Sequence, residues 1–299
     1  MLSELQYIDQ EFPIAVACLV FVFGSLIGSF LNVCIYRIPA EKSIVFPGST
    51  CACGQPIKWF DNIPILSWFI LRGQARCCGA PYSFRYPFVE LLTASLFLGA
   101  WIQHPHATAA CLWLLVSMLV CATFIDLDHM EIPDRFSIGL ALCGLILSAI
   151  VPSLHGISEP VYAAASIKGL FESALGIMIG SGMILWIALG AETMLRKEAM
   201  GFGDVKLVGG IGAFLGWQGA TFALFGGAVI GTIVVLLWAV IRGAIGKSSG
   251  KKKGDSNNKG LIGREIPFGP MLASGALIYT LVLEEPVDLY LSLVLELLG

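Results

Sequence analysis

Long stretches without any charged residue constrain this chain more than any other feature of its sequence. Asp, Glu, Lys and Arg are absent from six windows: residues 12–36, 91–125, 136–158, 173–191, 207–241 and 266–283. A helix that crosses a bilayer needs roughly 20 such residues at about 1.5 Å each. Charged residues make up 13% of the whole chain, about half of their share in a soluble domain. The windows therefore predict an all-α polytopic membrane protein and exclude an ordinary soluble domain.

Two of the windows are too long for a single span. One helix over 91–125 or 207–241 would be about 52 Å long, whereas the hydrocarbon core is about 30 Å thick. Each is predicted to be a hairpin, with a break at His104-Pro105-His106 in the first and at Gly216-Trp217-Gln218-Gly219 in the second. With these breaks the sequence predicts about eight transmembrane helices.

The positions of lysine and arginine predict the orientation of the helices. The first residues include Glu4, Asp9 and Glu11 but no basic residue, which argues against a cleaved signal peptide. If the N-terminus lies outside, all but one of the 18 Lys and Arg residues fall in cytoplasmic loops or at their edges, as the positive-inside rule requires. The exception, Lys168, precedes Glu172 by four residues, a spacing that favours an ion pair on a helix.

Two cytoplasmic segments are too long to be simple connections. Residues 37–87 contain four of the nine cysteines and are expected to fold as a small domain. The chain thus divides into 1–107, with two spans and this cysteine loop, and 108–299, with six spans. Residues 242–264 are basic and of low complexity and are predicted to be disordered. This tract either contacts anionic membrane lipid or only helps to set the topology, and nothing in the sequence indicates a nucleic-acid partner.

Glycines separated by four positions recur in the apolar windows. They are Gly24 and Gly28, Gly176 and Gly180, Gly212 and Gly216, and Gly227 and Gly231. Small residues at this spacing let two helices approach closely in a membrane. We expect these pairs to pack helices within one chain, and they are not evidence of a dimer.

One carboxylate occurs where a charged loop meets a long apolar window. The stretch "GFGDVK" at 201–206 directly precedes the window 207–241 and contains Asp204. A charge at this depth is costly and marks a functional candidate. Gly201 and Gly203 allow backbone conformations that other residues resist, and they can bring other backbone close to Asp204. The simpler alternative is that Asp204 only caps a helix, because the macrodipole favours an acidic residue at a helix N-terminus.

A second carboxylate is expected at the same membrane face. Asp126 ends the third predicted span, and Pro133 restarts the chain into the fourth. The neighbouring Asp128, Glu131 and Asp134 are better explained as solvated helix ends. Two carboxylates that share a site cannot both ionise easily, so one keeps its proton. The ionised one can accept a proton from water while the other protonates a scissile carbonyl oxygen, which is the chemistry of an aspartic peptidase.

Six stretches carry a resemblance to a known family. They are "GSFLNVCIYRIP" (28–39), "WFDNIPILSWFILRG" (59–73), "RYPFVELL" (85–92), "IDLDHMEIPD" (125–134), "GFGDVK" (201–206) and "IPFGPML" (266–272). With these in this order, the chain resembles the bacterial type IV prepilin peptidases, which are GxGD-type membrane aspartic peptidases and N-methyltransferases of pilus and type II secretion systems.

The resemblance implies a site, a substrate and a location. Asp126 and Asp204 would be the catalytic pair, with Gly201, Gly203 and Lys206 as supporting residues. The substrates would be prepilins and pseudopilins, whose short basic leader is cut after a glycine at the cytoplasmic face of the inner membrane. The new N-terminal amine would then be methylated from S-adenosylmethionine. Region 1–107 would belong to the methyltransferase activity and region 108–299 to the peptidase.

The cysteines depart from the family pattern. The family's loop carries two CxxC pairs, whereas this chain has Cys51-Ala52-Cys53 and the adjacent pair Cys77-Cys78. Ala75 stands where a further cysteine would be expected. Four thiolates in a reducing compartment favour zinc over disulfides. The altered spacing also leaves open that the thiols are free or redox-active.

Two other classes of function fit part of the sequence. Paired carboxylates and broken helices are also typical of ion-coupled transporters and channels, but those proteins place their carboxylates near the midplane of the bilayer. A non-catalytic scaffold of a secretion machine is the third possibility, and the ordered motifs argue against it.

Overall fold

The computed structural model describes residues 2–196, 200–248 and 267–298, and these residues form helices joined by loops. The helices are α1 (Leu2–Glu11), α2 (Pro13–Arg37), α3 (Leu66–Ile70), α4 (Arg85–Gln103), α5 (His106–His129), α6 (Asp134–Ile150), α7 (Tyr162–Leu195), α8 (Phe202–Ser248), α9 (Gly269–Ile278) and α10 (Glu284–Leu298). Between α9 and α10 the helix widens to one π-type turn, Tyr279–Leu283. The described residues contain no β-sheet, only isolated bridges in the loop after α2.

Within the part of the chain that the structure describes, four helices are long and apolar enough to cross a membrane. They are Pro13–Arg37, His106–His129, Tyr162–Leu195 and Phe202–Ile241. The prediction of an all-helical, multi-pass membrane protein is therefore confirmed at this level.

Both predicted breaks occur where the sequence placed them. In the first window, α4 ends at Gln103 and α5 begins at His106 after the intervening proline. In the second, Gly216 interrupts α8 with φ 67° and ψ −175°, a conformation that residues with a side chain rarely adopt. The chain reverses direction at this break. The evidence is that a Cβ on Gly212 would lie 3.2 Å from the Cβ of Ala220, whereas eight residues of a straight helix span about 12 Å.

The spaced glycines pack helices within the chain, as predicted. A Cβ on Gly28 would lie 2.7 Å from the Cα of Glu90, so α2 and α4 cross closely there. A Cβ on Gly176 would overlap the backbone oxygen of Gly212, and this contact joins α7 to α8. A Cβ on Gly227 would lie 2.8 Å from the backbone oxygen of Met271, so the second half of α8 crosses closely over α9.

Two expectations about charged segments have different outcomes. Lys168 pairs with Glu159, so the predicted pair with Glu172 is wrong; the partner lies in the loop before α7 and not on the helix. Of the basic tract 242–264, residues 242–248 form the end of α8, and residues 249–264 lie outside the described part of the chain.

The packing brings four helix ends to one side of the molecule. Helices α6 and α8 run in parallel from this side, because Asp134 at the start of α6 contacts Lys206 at the start of α8 and Gly144 further along α6 contacts Ala213 further along α8. The C-terminal end of α5 and the N-terminal end of α9 lie at the same place.

Candidate active site

Asp126 lies in the last turn of α5 and is held by two backbone interactions. The helix ends when Met130 turns into the left-handed region at φ 58°, and the Met130 N–H donates to the Asp126 carbonyl. The Asp126 side chain is buried, and its Oδ2 accepts the backbone N–H of Gly269 at 3.0 Å. Gly269 is the first residue of α9, so the carboxylate faces a helix N-terminus, where backbone N–H groups and the macrodipole stabilise negative charge.

Asp204 lies in the first turn of α8 and is also buried. Its own N–H donates to the Gly201 carbonyl at 3.1 Å. Gly203, the residue before Asp204, and Gly269, the hydrogen-bond partner of Asp126, both face Ile132, so the two carboxylates lie at the same end of the helix bundle. The structure thus brings together the two aspartates that the sequence paired, and it buries both.

The glycines of "GFGDVK" act by their small size and not by an unusual backbone. Neither Gly201 nor Gly203 has a positive φ, so the expected special conformation is absent. A Cβ on Gly203 would lie 3.3 Å from the Cβ of Ile132, a tight contact. Gly203 therefore lets the loop between α5 and α6 come close to the start of α8, which agrees with the expectation that it brings other backbone close to Asp204.

Sequence reasoning missed two residues next to the dyad. A Cβ on Gly269 would lie 2.7 Å from Oδ2 of Asp126 and 3.1 Å from Cδ1 of Ile132. Ile132 therefore packs between Gly203 and Gly269, close to the carboxylates. Both residues lie within family stretches, Ile132 in the fourth and Gly269 in the sixth. Neither carried a role in the sequence analysis, because the carboxylate that Gly269 contacts is 143 positions away.

Two ion pairs fix the helix ends around the dyad. Arg85 at the start of α4 donates to Asp128 at 2.7 Å and to the Phe124 carbonyl at 2.9 Å, so it brackets Asp126 on α5. Lys206 contacts Asp134 at 2.6 Å and links α8 to α6. Asp128 and Asp134 are exposed, as expected. Each nevertheless forms an ion pair, Asp128 with Arg85 and Asp134 with Lys206.

The four loop cysteines converge in spite of their altered spacing. The Sγ atoms of Cys51, Cys53, Cys77 and Cys78 all lie within 4.8 Å of one another. Cys51 and Cys78 are 3.5 Å apart, and Cys53 and Cys77 are 3.4 Å apart. A tetrahedral zinc site with Zn–S bonds of about 2.3 Å requires S···S distances of about 3.8 Å. The thiol set therefore fits a tetrahedral metal ion.

Two similar turns explain how adjacent cysteines reach this arrangement. In the first, the Gly54 N–H donates to the Cys51 carbonyl; in the second, the Gly79 N–H donates to the Ala75 carbonyl. Both glycines have positive φ values, and each turn is closed by one bridge, Thr50–Pro56 or Gln74–Pro81. The second turn thus presents Cys77 and Cys78 although Ala75 occupies the usual cysteine position.

Hydrogen bonds among the four loop cysteines shift the pKa values of their thiols in opposite directions. A backbone hydrogen bond at Cys53, followed by the thiols of Cys77 and Cys78, lowers the pKa of Cys51 to about 7. The thiols of Cys51 and Cys53 raise the pKa of Cys77 to about 12. Metal ions bind cysteine as the thiolate. A bound cation would therefore have to offset the repulsion between four negatively charged sulfurs.

Comparison with known proteins gives two family matches along the chain. Residues 22–104 match the bacterial peptidase A24 N-terminal domain, and residues 113–236 match the type IV leader peptidase family. No solved structure matches the chain.

Several named proteins are similar over most of their length. A type 4 prepilin-like proteins leader peptide-processing enzyme of Escherichia coli O78:H11 is 34% identical over 90% of this chain and 94% of that protein. A prepilin leader peptidase/N-methyltransferase of Aeromonas hydrophila is 34% identical over 85% of this chain and 87% of its own. One of Myxococcus xanthus is 38% identical over 74% of this chain and 63% of its own. With both family matches and this coverage, the chain belongs to the type IV leader peptidase (peptidase A24) family.

Proposed function

We propose that this protein cleaves the leader from type IV prepilins and pseudopilins, with Asp126 and Asp204 as its catalytic dyad. The observation that carries the proposal is that two carboxylates from separate helices are both buried at the same end of the helix bundle, on either side of Ile132. Burying two interacting carboxylates is costly unless they share a proton. A shared proton is what an aspartic peptidase uses.

The dyad would hydrolyse the peptide bond without a covalent intermediate. One ionised aspartate takes a proton from a water molecule, and the resulting hydroxide adds to the scissile carbonyl carbon. The protonated aspartate donates its proton to the carbonyl oxygen, which gives a neutral tetrahedral intermediate. Its collapse breaks the C–N bond, and the leaving amine takes up the proton that came from water.

The N-terminus of α9 gives the two aspartates different surroundings. Asp126 accepts a hydrogen bond from Gly269 N–H, and this bond orients its carboxylate. Asp204 lies at the N-terminus of α8, next to the loop that holds Ile132. We propose that Gly269 and Gly203 keep side chains out of the space in which the scissile peptide must approach the carboxylates.

The proposed topology has eight spans with the N-terminus outside. Helices α2, α4, α5, α6 and α7 supply five, the two parts of α8 on either side of Gly216 supply two, and α9 with the following helical residues supplies one. The dyad and the cysteine loop then share the cytoplasmic face, where the basic leader of a substrate lies. Carboxylates at this face, and not at the midplane, favour a peptidase over an ion-coupled transporter.

A second activity, N-methylation of the new N-terminus, is proposed from the named relatives. It requires S-adenosylmethionine, which supplies an electrophilic methyl group. We assign this activity to region 1–107 and the peptidase to region 108–299, and the two separate family matches support that division. Zinc on Cys51, Cys53, Cys77 and Cys78 would stabilise the cytoplasmic loop.

Substitution of each aspartate tests the peptidase proposal. Asp126→Asn and Asp204→Asn should each abolish leader cleavage, because the dyad needs a carboxyl group at both positions, while the protein still inserts and accumulates. The matched control is Glu131→Gln, an exposed acidic residue in the loop next to the dyad, which should retain cleavage. Near-normal cleavage of a prepilin by either asparagine variant would rule the dyad out.

A further inference from the structure

Helix α3, in the loop between α2 and α4, turns its apolar side chains away from the protein. Leu66, Phe69 and Ile70 have the spacing i, i+3 and i+4, so they lie on one face of this helix. Their exposed fractions are 58%, 57% and 70%. Ser67, outside this face, is buried instead, and its hydroxyl donates to the Phe60 carbonyl at 3.4 Å. A helix on a water-exposed surface has the reverse arrangement, so the face requires an apolar environment.

The exposed face of α3 continues onto helix α4. The indole ring of Trp68 packs edge-on against the rings of Phe69 and Phe84, with centroids 5.2 Å apart in both pairs. Phe84 directly precedes α4, and Phe88 and Leu91 follow it at the spacing of one helix face. All three of these side chains are exposed. The apolar surface is therefore continuous over two helices, unlike the single exposed apolar residues that occur on most proteins.

Contacts with α2 and α4 place the start of α3 at membrane depth. Helix α2 is long and apolar enough to cross a membrane and ends at Arg37. Gly28 lies nine positions before that end, about 13.5 Å along the helix, and packs against the backbone of Glu90 on α4. The Glu90 side chain leans toward the start of α4 and accepts the backbone N–H of Ile65 at 2.7 Å. Because Ile65 directly precedes α3, this helix begins closer to the middle of the span than the end of α2.

Two unpaired cations accompany the apolar face. Arg72 follows α3 closely, and the Nζ atom of Lys58 lies 5.6 Å from the centre of the Phe60 ring. Both cations are exposed. Neither takes part in an ion pair within the part of the chain that the structure describes, whereas Arg76 in the same loop is paired with Asp61 at 2.8 Å. Cations next to an apolar face at membrane depth are complementary to the anionic headgroups of a bilayer.

We propose that α3, with Lys58 and Arg72, is an interfacial anchor that lies in the headgroup region of the membrane and binds anionic phospholipid. Leu66, Phe69 and Ile70 enter the boundary of the acyl chains, and the two cations contact lipid phosphates. The anchor holds the cysteine loop against the bilayer instead of leaving it free in the aqueous phase. This inference rests on the proposed spans α2 and α4 and is independent of the catalytic dyad.

Photocrosslinking of the full-length chain in its native membrane tests what covers this face. A benzophenone amino acid replaces Phe69 or Ile70, and illumination couples it to the nearest C–H group. Lipid adducts, identified by mass spectrometry, are expected at both positions. The matched control is the same replacement of Gln55, an exposed residue of the same loop whose carbonyl closes the first cysteine turn, and it should give no lipid adduct. Adducts of Phe69 and Ile70 positions to another protein or to this chain would overturn the proposal, as would equal lipid adducts at Gln55.

Hydrogen exchange in nanodiscs tests the lipid chemistry and needs no substitution within the apolar face. In the wild-type protein the backbone amides of residues 63–73 should exchange more slowly in phosphatidylglycerol than in phosphatidylcholine. One Lys or Arg near an anionic surface contributes about fivefold in binding, so Arg72→Gln should reduce this difference about fivefold. The control Arg76→Gln removes a cation that Asp61 already neutralises and should keep the difference. Equal exchange of the wild type in the two lipids would overturn the proposal, even if Arg72→Gln does not fold.

Discussion

Gly269→Ala is the most specific perturbation that the site offers. An alanine Cβ at this position would lie 2.7 Å from Oδ2 of Asp126, about 0.7 Å short of the 3.4 Å at which ordinary contacts begin. The backbone itself tolerates the change, because Gly269 is helical and does not have a positive φ. A loss of activity must therefore come from the contacts of the added Cβ, of which the contact with the Asp126 carboxylate is the shortest.

The expected loss follows from this displacement. A misplacement of about 1 Å in an active site costs about 100-fold in rate, so a shift of about 0.7 Å predicts a decrease of about 10- to 100-fold in kcat, or about 1.4 to 2.7 kcal/mol. KM should rise as well, because the added methyl group also enters the space through which the scissile peptide approaches the carboxylates. The assay is the initial rate of prepilin cleavage in detergent over a range of substrate concentrations, with the melting temperature measured in parallel.

Two further variants separate the possible causes. Gly139→Ala on α6 adds a methyl group into open space and should leave the rate unchanged. The same Gly269 Cβ would lie 3.1 Å from Cδ1 of Ile132, and Ile132→Val removes that atom. If the double variant Gly269→Ala/Ile132→Val recovers the wild-type rate, the loss came from Ile132 and the reasoning about Asp126 is wrong. An unchanged rate in the single variant would also refute it.

Three other predictions concern the surroundings of the dyad and the cysteine loop. Gly203→Ala should reduce the cleavage rate by less than about tenfold at unchanged stability, because its Cβ would press on Ile132 at 3.3 Å and not on a carboxylate; a rate equal to that of wild type would mean that the motif only ends a loop. Arg85→Lys should lower kcat more than it changes KM, because lysine cannot contact both Asp128 and the Phe124 carbonyl, and equal kcat values would remove Arg85 from the positioning of Asp126. The melting temperature should fall more with Cys53→Ser, with Cys78→Ser or with a chelator than with the control Cys143→Ser. A fully active preparation that contains no metal by elemental analysis would contradict the zinc site.

The sequence was most informative about features that depend on local composition. The uncharged windows reflect the need for apolar side chains in lipid. The breaks at Pro105 and Gly216 reflect residues that end a helix. The glycine pairs reflect positions where close helix packing leaves no room for a side chain. The family stretches also predicted Asp126 and Asp204 as a catalytic pair. The sequence offered no indication of the distance between the two side chains.

The sequence was less informative where a role depends on a distant neighbour. Lys168 pairs with Glu159 in a loop, although the helical spacing favoured Glu172. Gly203 was expected to provide backbone freedom and to let other backbone come close; it has no positive φ, and its small size provides room for Ile132. The cysteine spacing left metal binding open, because only the folded turns at Gly54 and Gly79 bring the four sulfurs within 4.8 Å of one another.

By itself the sequence determined that this chain is a helical membrane protein, where its helices break and which family it resembles, because transfer free energies and backbone preferences act on each segment separately. Only the tertiary structure decided that Gly269 holds Asp126 across 143 positions and that Arg85 brackets the same residue. These contacts depend on how the helices pack against one another. Neither the periodicity nor the composition of the sequence predicts which carboxylate will accept a hydrogen bond from which backbone N–H.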